Sequence, residues 1–281
     1  MLYAYAFLIK GWTKMNAYFY TIIFIMGVLF GSFYTLAVYR IPKKIDIIHT
    51  HSFCPNCGHK LGFFELIPVL SYIFLGGKCK KCKQKIRPRY LIFEILSGVV
   101  FVLIAYGLKL NVYNLELNTI IRFIFIVLYL VAIFLIAGID REYRQINKGV
   151  LYYGFVISSI YIIYLCIMGE TSIYRYVMYL ITLIVLLILD SLKQKNNAET
   201  NYELEVLMLI VIIAINTGEF TALLSIFVVA ISVVFTQIIY IIKNALNKSK
   251  KEHKNMLEIY KFGYLLGISN IMIFICMLYL N

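Results

Sequence analysis

The sequence predicts an all-α integral membrane protein of about eight transmembrane helices, with a four-cysteine, zinc-ribbon-like loop held on the cytoplasmic side. Three observations predict it. Of the 281 residues, 62% are hydrophobic and only 15% charged, and the mean hydropathy is +0.84; a soluble domain of this length needs far more polar surface to face water. The chain has four Pro, none after Pro88, so its later two thirds can run as uninterrupted helices. Its Lys and Arg gather in short segments between the apolar runs, which is how membrane topology distributes charge. The formal net charge of +13 therefore does not by itself point to nucleic acid. The 24 Tyr and 20 Phe suit both lipid and its interfaces.

A spanning helix needs roughly 20 mostly apolar residues. Runs of that kind lie near 17–38, 91–108, 119–139, 150–168, 173–190, 204–217, 220–242 and 262–280. The sixth is short, and must tilt, extend through Tyr202, or be shielded by its neighbours. Segments 40–90, 140–149, 191–203 and 243–261 hold 22 of the 27 Lys and Arg. The other five, Lys10, Lys14, Lys109, Arg122 and Arg175, all fall on the opposite side if eight spans alternate. The excess marks the cytoplasmic face, so both termini are expected outside and loop 39–90 inside. Residues 1–16 read as an apolar extension too short to span, either an interfacial segment or the product of a start at Met1 and not Met15. A cleaved signal peptide is not expected, because no small-x-small site precedes a mature region. The Lys/Asn-rich stretches 191–201 and 243–255 read as solvated loops.

The loop carries Cys54-Pro-Asn-Cys57-Gly-His59 and, after 21 intervening residues, Cys79-Lys-Lys-Cys82. Each C-x-x-C sets two thiolates on a tight knuckle, and two knuckles complete the tetrahedral set that Zn²⁺ favours. Lys78, Lys80, Lys81 and Lys83 lower the thiol pKa values and offset the charge of a four-thiolate site. Disulfides are disfavoured on the cytoplasmic side. Such a site is coordinatively closed, so its metal is expected to organise the loop and not to catalyse; redox dithiols or unliganded thiols are the other reading. Cys166 and Cys276 lie in spans and read as packing residues.

Three acids stand where helices meet the cytoplasm: Asp140 closing the third span, Asp190 closing the fifth and Glu203 opening the sixth. A carboxylate at that depth is costly to desolvate and has a task or a partner. Two brought close can share a proton, one acting as base on water and the other as acid, which suffices to hydrolyse a peptide bond without a Ser or Cys nucleophile. The plain reading of each is an interfacial cap paired with a nearby Lys or Arg.

Gly31-Ser32-Phe33 with Arg40-Ile41-Pro42 resembles the first-helix signature of the bacterial type IV prepilin peptidases (leader peptidases), and the cysteine loop matches theirs in position and spacing. Arg89-Tyr90-Leu91-Ile92-Phe93-Glu94 resembles their R-Y-P-x-x-E segment with Leu91 for Pro. Gly138-Ile139-Asp140, followed by Ile146-Asn147, resembles their I-D-x5-I-P-D motif. Phe262-Gly263 resembles their F-G-P-F/Y segment. The resemblance implies a membrane aspartic peptidase-like portion over 91–281 that removes the basic leader of type IV prepilins or pseudopilins at the cytoplasmic face of the inner membrane. It also implies N-methylation of the new terminus with S-adenosylmethionine, an activity associated with the cysteine loop. It makes Asp140 one of two catalytic acids, with Glu65 and Glu94 as further contributors. The family's second aspartate belongs to a G-x-G-D motif, which is absent here; Thr200-Asn201-Tyr202-Glu203 takes its place, with Glu203 at the aspartate position, 63 residues after Asp140. Glu is one methylene longer, and both glycines are gone.

Three other readings compete: an inactive relative serving as a membrane scaffold for pilin or secretion assembly, a small-molecule transporter, and a nucleic-acid-binding ribbon. Almost no charge lies deep in the spans and no Gly/Pro-broken helix pair marks a midplane site, which speaks against transport. Few aromatics interleave the basic loop, so no nucleic-acid partner is expected.

Overall fold

The computed structural model describes residues 2–113, 115–169, 173–196, 202–246 and 261–280. Among them the chain is helical, and its only extended pairings are two isolated antiparallel bridges in the cysteine loop. The long helices are α1 (Leu2–Arg40), α3 (Arg89–Gly107), α4 (Leu117–Tyr143), α5 (Lys148–Ile167), α6 (Ile173–Asn196), α7 (Tyr202–Thr217), α8 (Glu219–Leu246) and α9 (Phe262–Leu280). A one-turn 3₁₀ helix at Phe63–Glu65 and the short α2 (Leu70–Phe74) interrupt the loop between α1 and α3. All eight expected spans are thus helices, with most ends within a few residues of expectation and α1 starting much earlier, at Leu2.

Six of the eight are long and apolar enough to cross a membrane: Met15–Arg40, Arg89–Gly107, Leu117–Tyr143, Lys148–Ile167, Glu219–Thr236 and Phe262–Leu280. In α6 the apolar part, Tyr176–Leu192, is shorter, and α7 has 16 residues. Among the described residues six helices meet that measure, so a count of eight spans is not confirmed. Residues 2–16, expected as a separate extension, continue α1 without a break. The polar stretches at 191–196 and 243–246, expected as loops, prolong α6 and α8, because Lys, Gln and Asn between apolar residues do not break a helix. The remainder of those loops, 197–201 and 247–255, lies outside the described residues.

Two compact units divide the chain at 127/128. In the first, α1 packs on α3 through a small-residue face. A Cβ built on Gly27 meets the Gly98 Cα and Ser97 O at 2.8 Å, and one on Gly31 meets the Glu94 Cα at 2.9 Å. The Gly27-x-x-x-Gly31 pair lets two backbones come close, as apolar helices in lipid must if packing is to hold them. The second unit buries a hydrogen-bonded polar chain. Tyr129 Oη donates to Asn270 Oδ1 at 2.7 Å, and Asn270 Nδ2 donates to Thr217 Oγ1 and Ser225 Oγ at 3.1 and 3.3 Å. These bonds fasten α4, α7, α8 and α9, since polar groups within such a bundle must be satisfied from inside it.

Candidate active site

In the first unit, Arg40 ends α1 with its guanidinium buried. It donates to the carbonyls of Asp46 (2.9 Å), Ile47 (3.3 Å), Thr50 (2.8 Å) and His51 (3.2 Å). A forked, permanently charged donor can gather four carbonyls in this way, and it sets the course of the chain into the first knuckle. Both knuckles are built alike. Gly58 N–H donates to Cys54 O at 2.9 Å and Cys54 N–H to His59 O at 2.9 Å; Lys83 N–H donates to Cys79 O at 3.0 Å and Cys79 N–H to Gln84 O at 2.9 Å.

The four sulfurs of Cys54, Cys57, Cys79 and Cys82 all lie within 4.8 Å of one another, with Cys54–Cys82 at 3.9 Å and Cys57–Cys79 at 4.0 Å. Tetrahedral Zn–S bonds of 2.3 Å require sulfur separations of about 3.8 Å, so the donor set fits zinc. The Gln84 backbone N–H, followed by the Asn56 amide, lowers the Cys82 thiol to about 6, which favours the thiolate a metal binds. The structure holds all four thiols unpaired. His59, beside the first knuckle, faces Glu65 at 3.2 Å, and Gly62 N–H donates to the same carboxylate at 2.9 Å. The Gly62 N–H, and then His59, hold the Glu65 carboxyl below its usual range.

Between the knuckles and the ends of α1 and α3 lies a cavity of about 350 Å³. Tyr39, Arg40, Glu65, Tyr72, Tyr90 and Glu94 are among its walls. Glu94 is buried on α3, where its Oε2 accepts Val69 N–H at 2.8 Å. The size, the apolar lining and the two carboxylates suit a small cationic ligand with an aromatic part.

The second unit holds the acids. Asp140 has no exposed surface. Both of its oxygens lie 3.0 Å from Tyr202 Oη, and Oδ2 also accepts Tyr264 N–H at 2.9 Å from the first turn of α9. Gly263 N–H donates to the same Tyr202 oxygen at 3.3 Å. A Cβ on Gly263 would stand 3.2 Å from Asp140 Oδ2, so any larger residue there must push the carboxylate aside by a few tenths of an ångström. Backbone N–H groups at a helix N-terminus fix the orientation of a carboxylate set against them. Ile146 is buried and packs at Gly263, and Asn147 caps α5 by accepting Val150 N–H at 3.3 Å. The four stretches Ile139-Asp140, Ile146-Asn147, Tyr202 and Phe262-Gly263 thus converge on one carboxylate.

The other acids fall unevenly. Asp190 is buried and takes Lys148 Nζ at 2.5 Å. Glu203, expected as Asp140's partner, is exposed. Glu205, two residues on, is 1% exposed, and neither of its oxygens has a hydrogen-bond partner among the described residues. It lies within the electrostatic reach of Lys148, Asp190 and Asp140. Asp140, Asp190 and Glu205 are thus all buried in the second unit, whereas Glu203 is exposed. Tyr202, Glu205 and Lys148 escaped the sequence. Glu205 joins the buried stripe Met208, Leu209 and Ile212, spaced as one helix face, but Leu204, Val206 and Leu207 are apolar too, so no periodicity singles it out.

Residues 25–108 match the family model of the Bacterial Peptidase A24 N-terminal domain. That match covers under a third of the chain and is similar in kind to what curated relatives show. The chain is 32% identical over 154 residues to a prepilin leader peptidase/N-methyltransferase of Vibrio cholerae, covering 52% of this chain and 57% of that one. To proteins of the same name it is 40% identical over 104 residues in Bacillus subtilis (37% and 41% of the two chains) and 38% over 79 residues in Myxococcus xanthus (28% and 24%). The chain spans just over half the length of the Vibrio relative in that alignment, and less of the other two. No solved structure matches it. The domain match falls wholly within the first unit, with the cysteine knuckles, Arg40 and Glu94. The carboxylates of the second unit lie beyond it. No G-x-G-D occurs anywhere in the chain.

Proposed function

We propose that the chain is a membrane-embedded aspartic endopeptidase that removes the basic leader from type IV prepilin-like precursors at the cytoplasmic face of the inner membrane. The carrying observation is that two carboxylates of the second unit are buried, Asp140 ringed by donors and Glu205 within its electrostatic reach and without a hydrogen-bond partner among the described residues. Asp140 takes a proton from water as the water oxygen bonds to the scissile carbonyl carbon; Glu205 gives its proton to the departing amine as the C–N bond breaks. Glu205 takes this part in place of Glu203, whose exposure puts it in contact with solvent. Lys148, paired to Asp190, keeps that second aspartate from adding another unbalanced negative charge. The reading puts both termini outside and the cysteine loop inside, which the gathering of Lys and Arg in 40–90 supports.

The zinc-ribbon-like loop holds its metal as a structural element. The cavity beside it would take S-adenosylmethionine, whose bound methyl group supplies N-methylation of the new terminus. Glu65 and Glu94 would face the cation, and Tyr39, Tyr72 and Tyr90 the flat part. The names of the relatives, prepilin leader peptidase/N-methyltransferase, carry both activities.

One observation favours a second reading, a catalytically inactive scaffold for pilin or secretion assembly: Tyr202 engages both oxygens of Asp140. Co-expression with a pilin precursor, followed by mass spectrometry of the pilin N-terminus, decides. The peptidase reading expects cleavage by wild type and by Glu203→Gln, and none by Asp140→Asn or Glu205→Gln. An intact leader with wild type leaves the scaffold; loss with Glu203→Gln but not with Glu205→Gln reverses the assignment of the second acid.

A further inference from the structure

The loop between α1 and α3 displays more apolar surface than a water-exposed loop tolerates. Phe63, Phe64 and Phe74 are 77%, 80% and 82% exposed. Leu66, Leu70 and Ile73 are exposed as well, which makes six large apolar side chains on a twelve-residue stretch. Their neighbours on the short α2 point the other way. Tyr72 turns toward the loop and donates to Ile86 O at 3.4 Å, and Ser71 with Tyr72 lines the cavity. The segment is therefore amphipathic, with its polar side on the knuckles and its apolar side outward. A contiguous patch of this kind marks a partner.

The chain itself fixes where this face sits. Val69, just ahead of α2, gives its N–H to Glu94, five residues into the spanning α3. At 1.5 Å per residue that is roughly 7 Å along the helix, the depth of the headgroup boundary and not of the aqueous phase. Exposed lysines surround the patch in sequence: Lys60, Lys78, Lys80, Lys81, Lys83 and Lys85. Apolar and aromatic side chains on one face, with ammonium groups whose stems can reach past them, are the composition of an interfacial membrane anchor. Anionic headgroups complement those charges.

We infer that Phe63–Phe74 is a lipid-binding surface, seated in the headgroup and upper acyl region of the membrane that α1 and α3 cross, and held there in part by the loop lysines through anionic lipid. The bilayer is the occupant, because the patch is tethered by Glu94 at membrane depth and carries the charge that an anionic leaflet attracts. The knuckles are thereby pressed against the bilayer, with their cavity held at the surface.

The chain has one tryptophan, Trp12, so a Trp12→Phe background accepts a single reporter. The full-length protein carrying Phe74→Trp, and separately Phe64→Trp, is reconstituted in nanodiscs of phosphatidylcholine with phosphatidylglycerol. Lipids brominated near the headgroup are expected to quench either reporter at least about two-fold, deep bromines less, and aqueous iodide little. Iodide quenching as strong as that of free tryptophan, without bromolipid quenching, overturns the inference in favour of water. Protection from both quenchers overturns it in favour of a protein cover such as a second copy. Removing phosphatidylglycerol is expected to weaken bromolipid quenching, and an unchanged signal removes the lysines from the anchor. Retention of metal by each variant verifies that the loop has kept its fold.

Discussion

Tyr202 Oη stands 3.0 Å from each carboxylate oxygen of Asp140, and the same tyrosine occupies the position where the family's missing motif has its second glycine. The phenol donates to one acceptor and receives Gly263 N–H, so it joins the start of α7 to the start of α9 through the acid between them. The orientation of the Asp140 carboxylate rests mainly on one hydroxyl and one backbone N–H.

Tyr202→Phe is the first consequence. The ring stays and the hydroxyl goes, leaving Asp140 with the Tyr264 N–H and freer to rotate. If Tyr202 orients the base, leader cleavage should fall by on the order of 10- to 100-fold through kcat, with KM little changed, and stability by about 1–3 kcal/mol. Single-turnover cleavage of a detergent-solubilised pilin precursor reads the first, and a denaturant titration the second. A rise in cleavage would mean that the tyrosine blocks the acid, as the scaffold reading has it.

Gly263→Ala tests the same carboxylate from the other side. The added methyl would meet Asp140 Oδ2 at 3.2 Å and the Ile146 side chain at 3.3 Å. Helix propensity favours alanine, so thermal stability should change by less than about 1 kcal/mol, while cleavage should drop about ten-fold or more as the acid is pushed aside. Equal loss of both would point to a site that had simply unfolded.

Much of this was legible beforehand, and what was not has a definite cause. Apolar runs of span length, an absence of proline after Pro88 and grouped Lys and Arg define the helices, because in lipid the backbone has few other options. The four cysteines declare themselves by ligand spacing. Asp140 is marked by the motif around it. Glu205 could not be separated from Glu203, since a helix apolar on every side gives no phase by which to tell its buried face from its exposed one. Arg40 could be matched to a signature but not given its task, which depends on four carbonyls that only the folded turn presents.

Lys148 and Asp190 make a further test. Their contact at 2.5 Å is half-sheltered on the lysine side and buried on the aspartate side. Lys148→Met removes the cation and leaves a buried carboxylate without this counter-charge, which should cost about 3–5 kcal/mol. Lys148→Met with Asp190→Asn should recover a large part of that loss, because the orphaned charge is gone. Midpoints of thermal unfolding in one detergent, for the two single variants and the double, give the coupling.

Gly31→Val addresses the first unit alone. A side chain there would press on the Glu94 Cα and Ser97 Cβ, both at 2.9 Å, and neither backbone can yield without parting α1 from α3. The expected loss is about 1–3 kcal/mol or more, with Glu94 moved away from Val69. Faster proteolysis of the 39–90 loop in the variant is the readout; an unchanged digest would show that the helices do not need this contact.

Metal removal closes on the knuckles. A chelator should strip one zinc per chain and loosen loop 39–90, and Cys57→Ser should lower affinity while leaving the helices intact. The Cys82 thiol, held near 6 by the Gln84 N–H and the Asn56 amide, is already a thiolate at neutral pH. Its folded value is below the unfolded one, so the stability it contributes is present above the unfolded pKa and is lost as pH falls through about 6. Zinc uptake by the stripped protein at pH 7.5 should therefore release fewer than four protons, because one of the four sulfurs has none to give. Calorimetric titrations in two buffers of different ionisation enthalpy count those protons. Asn56→Ala removes one of the two donors, so it should raise the count toward four and shift the acid release of metal to higher pH. A count that does not respond to Asn56 would mean that the amide does not polarise the sulfur.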